Sequence, residues 1–386
     1  MPTDRRFWED LFTVPQGQRH GVRVEMRLLK KRGRPFLLLP SKSRPAAATM
    51  DLYPAQTGRA RAIRMLLRCL LRTSLPAATE GVSLAIWPQD PFVEFLSSQA
   101  GMDAGKLPTL GILAGNPASD GQRFLLMVFN SRHTPVAVVK VGLSQRAQAL
   151  IEQEEHFLAT APRGMIAVPG LRAKFESPRL RAIALDFFSG DSPRPRNEAS
   201  LPPVLNSWVD TNRTIALSET PDWKRLQDSA PRSDWFSALS GRLAGRKFHP
   251  AIHHGDFAPW NIKVSPAGAW TVLDWERGEL TGIPGWDWFH YVIQPGILVE
   301  RLPNPGLLQR VESLLGAEAF KHYAAGAAIQ GYERDLLLAY LLHVVEVIKP
   351  SEGLAQTRDL LHALSSQWSG QPNQRGPNTS NLPFAR

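Results

Sequence analysis

His253–Asn261 reads HHGDFAPWN, and Val272–Glu276 reads VLDWE. Asn261 lies five positions after Asp256, and Asp274 lies thirteen after Asn261. Between the last two, Ile262–Val264, a Pro-Ala-Gly turn and Ala269–Leu273 read as a small β-hairpin. A loop feeding such a hairpin returns Asp274 to the side of Asn261. One carboxylate and one amide placed there suit Mg²⁺, a hard cation that prefers oxygen ligands and often takes few of them from protein. Asp256 then stands apart, available to face an acceptor hydroxyl and take its proton. Phosphoryl transfer from ATP needs such a set, because positioning and charge neutralisation supply most of its catalysis. A lone Gly-Asp would do no more than cap a turn. It is the combination with Asn261, Asp274 and Asp287 that points to chemistry.

Working outward, the preceding region alternates apolar runs with turns. Leu110–Leu113, Phe124–Phe129 (FLLMVF) and Val136–Val141 (VAVVKV) read as strands, and Asn130–Pro135 (NSRHTP) reads as a hairpin turn. A helix follows over Ser144–Ala159. Three antiparallel strands and a helix make a unit in which the loop Ala114–Gln122 (AGNPASDGQ) can cover phosphates. Gly101–Lys106 (GMDAGK) is not a P-loop: three residues stand between its glycines where four are required, and Leu107 sits where Ser or Thr is needed. Trp286, Trp288, Phe289 and Tyr291 follow the second stretch and read as core rather than as an aromatic wall for substrate.

His254, Gly255, Asp256 and Asn261 match H-G-D-x-x-x-x-N, and Asp274, Trp275 and Glu276 match D-W-E. Gly282, Pro284 and Asp287 match G-x-P-x-x-D. With these elements, residues 105–350 resemble the aminoglycoside phosphotransferase and choline kinase family, a small-molecule branch of the protein-kinase-like fold. Gly255 and Trp275 stand where protein kinases carry H-R-D and D-F-G residues. The resemblance implies an α+β, bilobal protein-kinase-like fold, with a small antiparallel-sheet N-lobe that holds ATP and a mainly helical C-lobe that takes the acceptor. It implies that Lys140 contacts the α/β-phosphates and pairs with Glu154, for which Glu152 and Glu155 compete. Gly115 and Ser119 would contact phosphate, although the loop is a poor match to G-x-G-x-x-G. Leu185–Gly190 (LDFFSG) resembles the hinge, so the Asp186 carbonyl and the Phe188 N–H would meet adenine. Asn261 and Asp274 would hold Mg²⁺, Asp256 would orient the acceptor hydroxyl, and His254 and Asp287 would brace the loop.

No such resemblance covers residues 1–100. They hold 16 Lys/Arg against 8 Asp/Glu, so most of the chain's net charge of +10 belongs to them. They read as an extra α+β segment, with a strand over Pro35–Pro40 (PFLLLP) and a basic helix over residues 59–75. In that helix Arg61, Arg64, Arg68 and Arg72 share a face, and Ile63, Leu66, Leu67, Leu70 and Leu71 fall largely on the other. Such a helix suits an anionic membrane surface or the domain's own core. No aromatic residues interleave with the arginines, so nucleic acid is not expected as a partner.

The expected divisions are residues 1–100, an ATP-binding lobe over 101–190, a helical lobe over 191–366, and a disordered tail over 367–386 that is rich in Pro, Asn, Gly and Ser. One cysteine, Cys69, excludes an internal disulfide. No secretory signal or membrane-spanning run is legible, which suggests a cytoplasmic protein, soluble or peripheral at the inner membrane surface. The expected activity is ATP- and Mg²⁺-dependent phosphorylation of a hydroxyl on a small molecule, sugar or glycan intermediate, or lipid head group. The alternative is a non-catalytic kinase-like scaffold that binds nucleotide or a partner.

Overall fold

The computed structural model describes residues 8, 10–12, 21–31, 33–53, 55–73, 79–115, 121–162, 164–231 and 233–369. Of residues 195 and 369, the backbone alone is described. The fold is α+β. Two compact units divide the chain: Met1–Thr160 with Pro169–Ser189, and Ala161–Val168 with Gly190–Arg386.

The first unit runs β1 (Val22–Lys31), β2 (Arg34–Pro40), α1 (Ser43–Thr49), α2 (Gly58–Arg72), β3 (Thr79–Ile86), α3 (Pro91–Gln99), β4 (Thr109–Ala114), β5 (Arg123–Phe129), β6 (Pro135–Gly142), α4 (Gln145–Thr160), β7 (Leu171–Glu176) and β8 (Arg181–Asp186). The eight strands make one antiparallel sheet in the order β3-β1-β2-β4-β5-β6-β8-β7. PFLLLP is an unbroken apolar run because both faces of β2 are covered. Leu37 and Leu39 pack with Ala46, Ala47, Met50 and Leu71, whereas Leu38 packs on the opposite face with Leu28, Ile112 and Leu126. The period-2 pleat makes that division.

Asn130 closes the β5–β6 hairpin by accepting N–H bonds from Arg132 and Thr134, both at 3.0 Å. At the other end of β6, Gly142 leaves no room for a side chain. A Cβ there would lie 2.6 Å from the Ala147 carbonyl carbon, so glycine lets α4 pack tightly onto the strand that carries Lys140. GMDAGK forms turns, with Lys106 Nζ on Asp103 Oδ2 at 2.7 Å.

Residues 1–100 are α+β, and their strands extend the same sheet: β2 pairs with β4 through Leu37↔Leu113 and Leu38↔Ile112. Apolar periodicity identifies β2 as a strand but carries no information about which edge it joins. The arginine helix is α2, and its faces differ from the expected division. Leu71 is buried and Leu67 packs beside it, whereas Ile63 and Leu66 face outward at 45% and 60% exposure. Arg68 turns inward to pair with Asp51 at 2.7 Å. Contacts with α1 and β2 set the rotation of the helix, and the arginine spacing does not.

The second unit runs α5 (Leu201–Ser207), β9 (Ile215–Ala216), α6 (Pro221–Ser229), α7 (Asp234–Leu243), β10 (Lys247–Phe248), β11 (Ala251–His253), β12 (Ile262–Val264), β13 (Trp270–Val272), β14 (Glu279–Gly282), α8 (Trp286–Leu298), α9 (Asn304–Gly316), α10 (Glu318–Gly326), α11 (Glu333–His343) and α12 (Leu354–Ser369). Its strands form two-stranded ladders, β9–β10, β11–β14 and β12–β13. Trp286, Trp288, Phe289 and Tyr291 of α8 are all buried, with Phe320, Tyr323 and Tyr340 within ring-contact distance of the first three. They are core.

Composition placed the start of the tail too early. α12 continues to Ser369, because Trp368 is buried and Arg334 stacks on its ring at 5.0 Å. The rest of the expected tail, residues 370–386, lies outside the described residues.

Candidate active site

In the first unit, β6 and α4 bring a lysine and a glutamate together. Lys140 Nζ donates to both carboxylate oxygens of Glu154, at 2.7 and 2.8 Å, and both residues are buried. The neighbouring glutamates go elsewhere: Glu155 to Lys174 and Arg181, and Glu152 to Arg181. The spacing of Glu152, Glu154 and Glu155 alone could not separate them, since helix rotation decides which carboxylate faces β6. Gly115 follows β4, where a Cβ would sit 2.2 Å from the Arg123 carbonyl oxygen. Ser119 lies outside the described residues. Asp186 ends β8, its side chain on Arg172 at 3.0 Å, and Phe188 follows two residues later, just before the unit ends at Ser189.

In the second unit, β11 delivers the chain into His254-Gly255-Asp256. Asp287, in the first turn of α8, accepts the N–H of His254 at 2.7 Å and that of Gly255 at 3.2 Å. His254 is fully buried. Its Nδ1 accepts the Asp256 N–H at 3.1 Å, so Nε2 carries the proton and donates it to the Leu273 carbonyl at 2.9 Å. Burial pushes the His254 pKa below the ordinary histidine value, which agrees with this neutral form. Gly255 has φ +77°, and a Cβ there would meet the Arg277 Cβ at 2.8 Å. Both the dihedral and the space call for glycine.

Asn261 ties the loop to the hairpin. Its Nδ2 donates to the Asp256 backbone carbonyl at 2.8 Å and to Asp256 Oδ2 at 2.9 Å, and its own carbonyl accepts the Leu273 N–H at 2.7 Å. Two acceptors fix which end of the amide carries nitrogen, so Oδ1 is the atom turned away from Asp256. Asp274 follows Leu273 directly and adopts φ +74°, a left-handed conformation that costs a non-glycine residue about 1–2 kcal/mol.

Asp256 Oδ1 accepts from His290 Nε2 at 3.0 Å. Burial raises the Asp256 pKa, but the hydrogen bond and charge of His290, with His254 and Arg277, outweigh it and hold the carboxyl below its usual value. Behind His290 the string continues: Gln294 Nε2 lies 3.4 Å from the Tyr340 hydroxyl, which lies 3.1 Å from His290 Nδ1. A recess of about 80 Å³ opens onto Asp256, with His290, Gln294, Tyr340 and Arg277 among its walls. It is far below the size of a whole drug-like ligand site.

The chain is similar to small-molecule kinases of known structure. A thermostable mutant of aminoglycoside phosphotransferase APH(4)-Ia, in ternary complex with ADP and hygromycin B, aligns at 13% identity with a TM-score of 0.46, covering 72% of this chain and 99% of that one. The AMP-PNP and hygromycin B complex of another mutant aligns at 15% identity and the same TM-score, covering 73% and 100%. A candidate fructosamine-3-kinase of Haemophilus somnus 129PT aligns at 13% identity with a TM-score of 0.41, covering 71% and 96%. No family model matches the chain, and no curated protein does.

His290, Tyr340 and Asp222 were not singled out from the sequence. His290 had a signal: Asp287, His290 and Gln294 recur at i, i+3 and i+7, one polar line on an otherwise apolar helix. Tyr340 and Asp222 had none, since they reach the site from α11 and α6. Asp222 Oδ2 takes His253 Nδ1 at 2.7 Å, and the other side of His253 faces Asp287 Oδ1 at 3.5 Å. Burial lowers the His253 pKa, but the two carboxylates prevail and raise it to about 9. The first of the adjacent histidines is thus a buried cation that couples α6 to the loop brace.

Proposed function

We propose that the chain transfers the γ-phosphoryl group of ATP to a hydroxyl of a small molecule, sugar or glycan intermediate, or lipid head group. The observation that carries this reading is the double use of Asn261. Its amide nitrogen is spent on Asp256, which leaves Oδ1 for a cation next to the carboxylate that would face the acceptor. Among the described residues no cluster of three or more His, Cys, Asp or Glu side chains could hold a metal. A Mg²⁺ that also binds phosphate oxygens needs fewer, and the all-oxygen pair Asn261 Oδ1 and Asp274 fits its chemistry. When bound, Mg²⁺ neutralises charge on the β- and γ-phosphates.

In this reading Lys140, held by Glu154, binds the α/β-phosphates. Asp256 orients the acceptor hydroxyl and accepts its proton as the new oxygen–phosphorus bond forms. The bond from the γ-phosphorus to the β,γ-bridging oxygen breaks, giving ADP and a phosphate ester. His290 holds the Asp256 carboxylate by Oδ1. A polycationic acceptor is disfavoured, since among the described residues Asp256 is the one carboxylate lining the recess while Arg277 lines it too. The cytoplasm, with its ATP and Mg²⁺, is the compartment this reading requires.

The test is Mg²⁺-dependent ADP release across a panel of alcohols, sugars and head-group analogues, wild type against Asp256→Ala. Acceptor-dependent turnover lost in the variant supports the proposal. Tight nucleotide binding with no turnover for any acceptor would instead identify a nucleotide-binding scaffold.

A further inference from the structure

We propose that α2 seats the first unit on an anionic lipid bilayer. This rests on the first unit alone and is independent of the phosphotransferase reading. The helix has two apolar stripes where a surface helix needs one. Leu67 and Leu71, at i and i+4, turn inward toward the core shared with α1 and β2. Ala62, Met65, Leu66 and Cys69, at i, i+3, i+4 and i+7, turn outward. Met65 is 67% exposed and Leu66 60%, and Ile63 flanks them at 45%. Half of the exposed large hydrophobics among the described residues therefore lie within four consecutive positions of this one helix.

Arginines border the outward stripe. Arg59, Arg61 and Arg72 are exposed, and the helix holds five arginines and no acidic residue. Arg68 is turned to an internal carboxylate, Asp51. Among the described residues no hydrogen bond or ion pair engages the side chains of Arg59, Arg61 or Arg72. A surface that receives Met65 and Leu66 in an apolar layer, and guanidinium groups in an anionic layer just above it, is a bilayer interface. Long arginine stems reach headgroup phosphates while the apolar side chains enter the acyl boundary. Duplex nucleic acid offers the anions without the apolar layer.

The experiment is co-sedimentation of the full chain with vesicles of phosphatidylcholine, alone or mixed with phosphatidylglycerol, at low and high salt. Binding is expected with the mixed vesicles and should weaken with salt. Met65→Glu with Leu66→Glu should lower it at least roughly tenfold. Each of Arg59→Gln, Arg61→Gln and Arg72→Gln should lower it roughly fivefold. These side chains point outward, so thermal unfolding of the variants should match wild type. Equal recovery on neutral and anionic vesicles, or unchanged binding of the double variant, overturns the proposal. So does a dimer in sedimentation velocity that Leu66→Glu dissociates while vesicle binding is absent, since a second copy then covers the stripe. Retention of the chain on duplex DNA rather than on vesicles overturns it as well.

Discussion

Replacing Asp256 by Asn keeps the shape of the carboxylate and removes its ability to take a proton. The expected loss in kcat is about 10²–10⁴-fold, read in a coupled ADP assay. His290→Ala frees the Asp256 carboxylate while leaving that carboxylate itself in place. It should lower kcat by up to about 10²-fold with little change in the KM for ATP, and His290→Gln, which keeps a donor, should restore part of the rate. An equal rise in the KM for ATP would count against a positioning role. Lys140 separates stability from function. Lys140→Met removes the cation that pairs with the buried Glu154 carboxylate and should cost about 3–5 kcal/mol in denaturant unfolding. Adding Glu154→Leu should recover most of that stability but none of the nucleotide affinity. If the double variant binds nucleotide as wild type does, the phosphate role of Lys140 is lost.

At the scale of elements, α8 unites the site. One face of it supplies Asp287 to brace the loop and His290 to hold Asp256, while its aromatic side chains anchor the helix in the core. α6 joins it through Asp222, His253 and His343, and this seam predicts a stability optimum. The His253 pKa is about 9 folded against an ordinary 6.5, so its contribution is full below 6.5 and is lost as pH rises toward 9. His343 is the opposite case. Burial lowers its pKa to about 4, so stability falls as pH drops from 6.5 toward 4. Melting temperature should therefore peak near pH 6.5, and His253→Gln should flatten the alkaline arm. An alkaline arm that stays as steep in this variant assigns the decline to other groups.

For the molecule as a whole, the shared sheet of the first unit makes the N-terminal residues part of the fold's stability. Deleting residues 1–100 would strip β2 from β4 and uncover Ile112 and Leu113, which are buried. The truncated chain should be insoluble or strongly aggregating on expression, because an unpaired apolar edge strand recruits other chains. A soluble, monomeric truncation with native-like melting would show that residues 1–100 are a separable addition.

β2, β4, β5, β6, α4, the loop over His254–Asn261 and its hairpin were legible in the sequence because each depends on local periodicity or on fixed spacing, whereas β1, β3, β7 and β8 were not singled out. Asp256, Asn261 and Asp274 sit within eighteen positions, and a tight hairpin leaves the chain few ways to arrange them. Contacts between distant segments were decided by packing. Glu154 rather than Glu155 meets Lys140 because of the rotation of α4 on the sheet, and Leu66 rather than Leu67 faces outward because of the rotation of α2 on α1. His290 meets Tyr340 across fifty positions of chain, a pairing that no local pattern encodes and that depends on how α8 and α11 share one core.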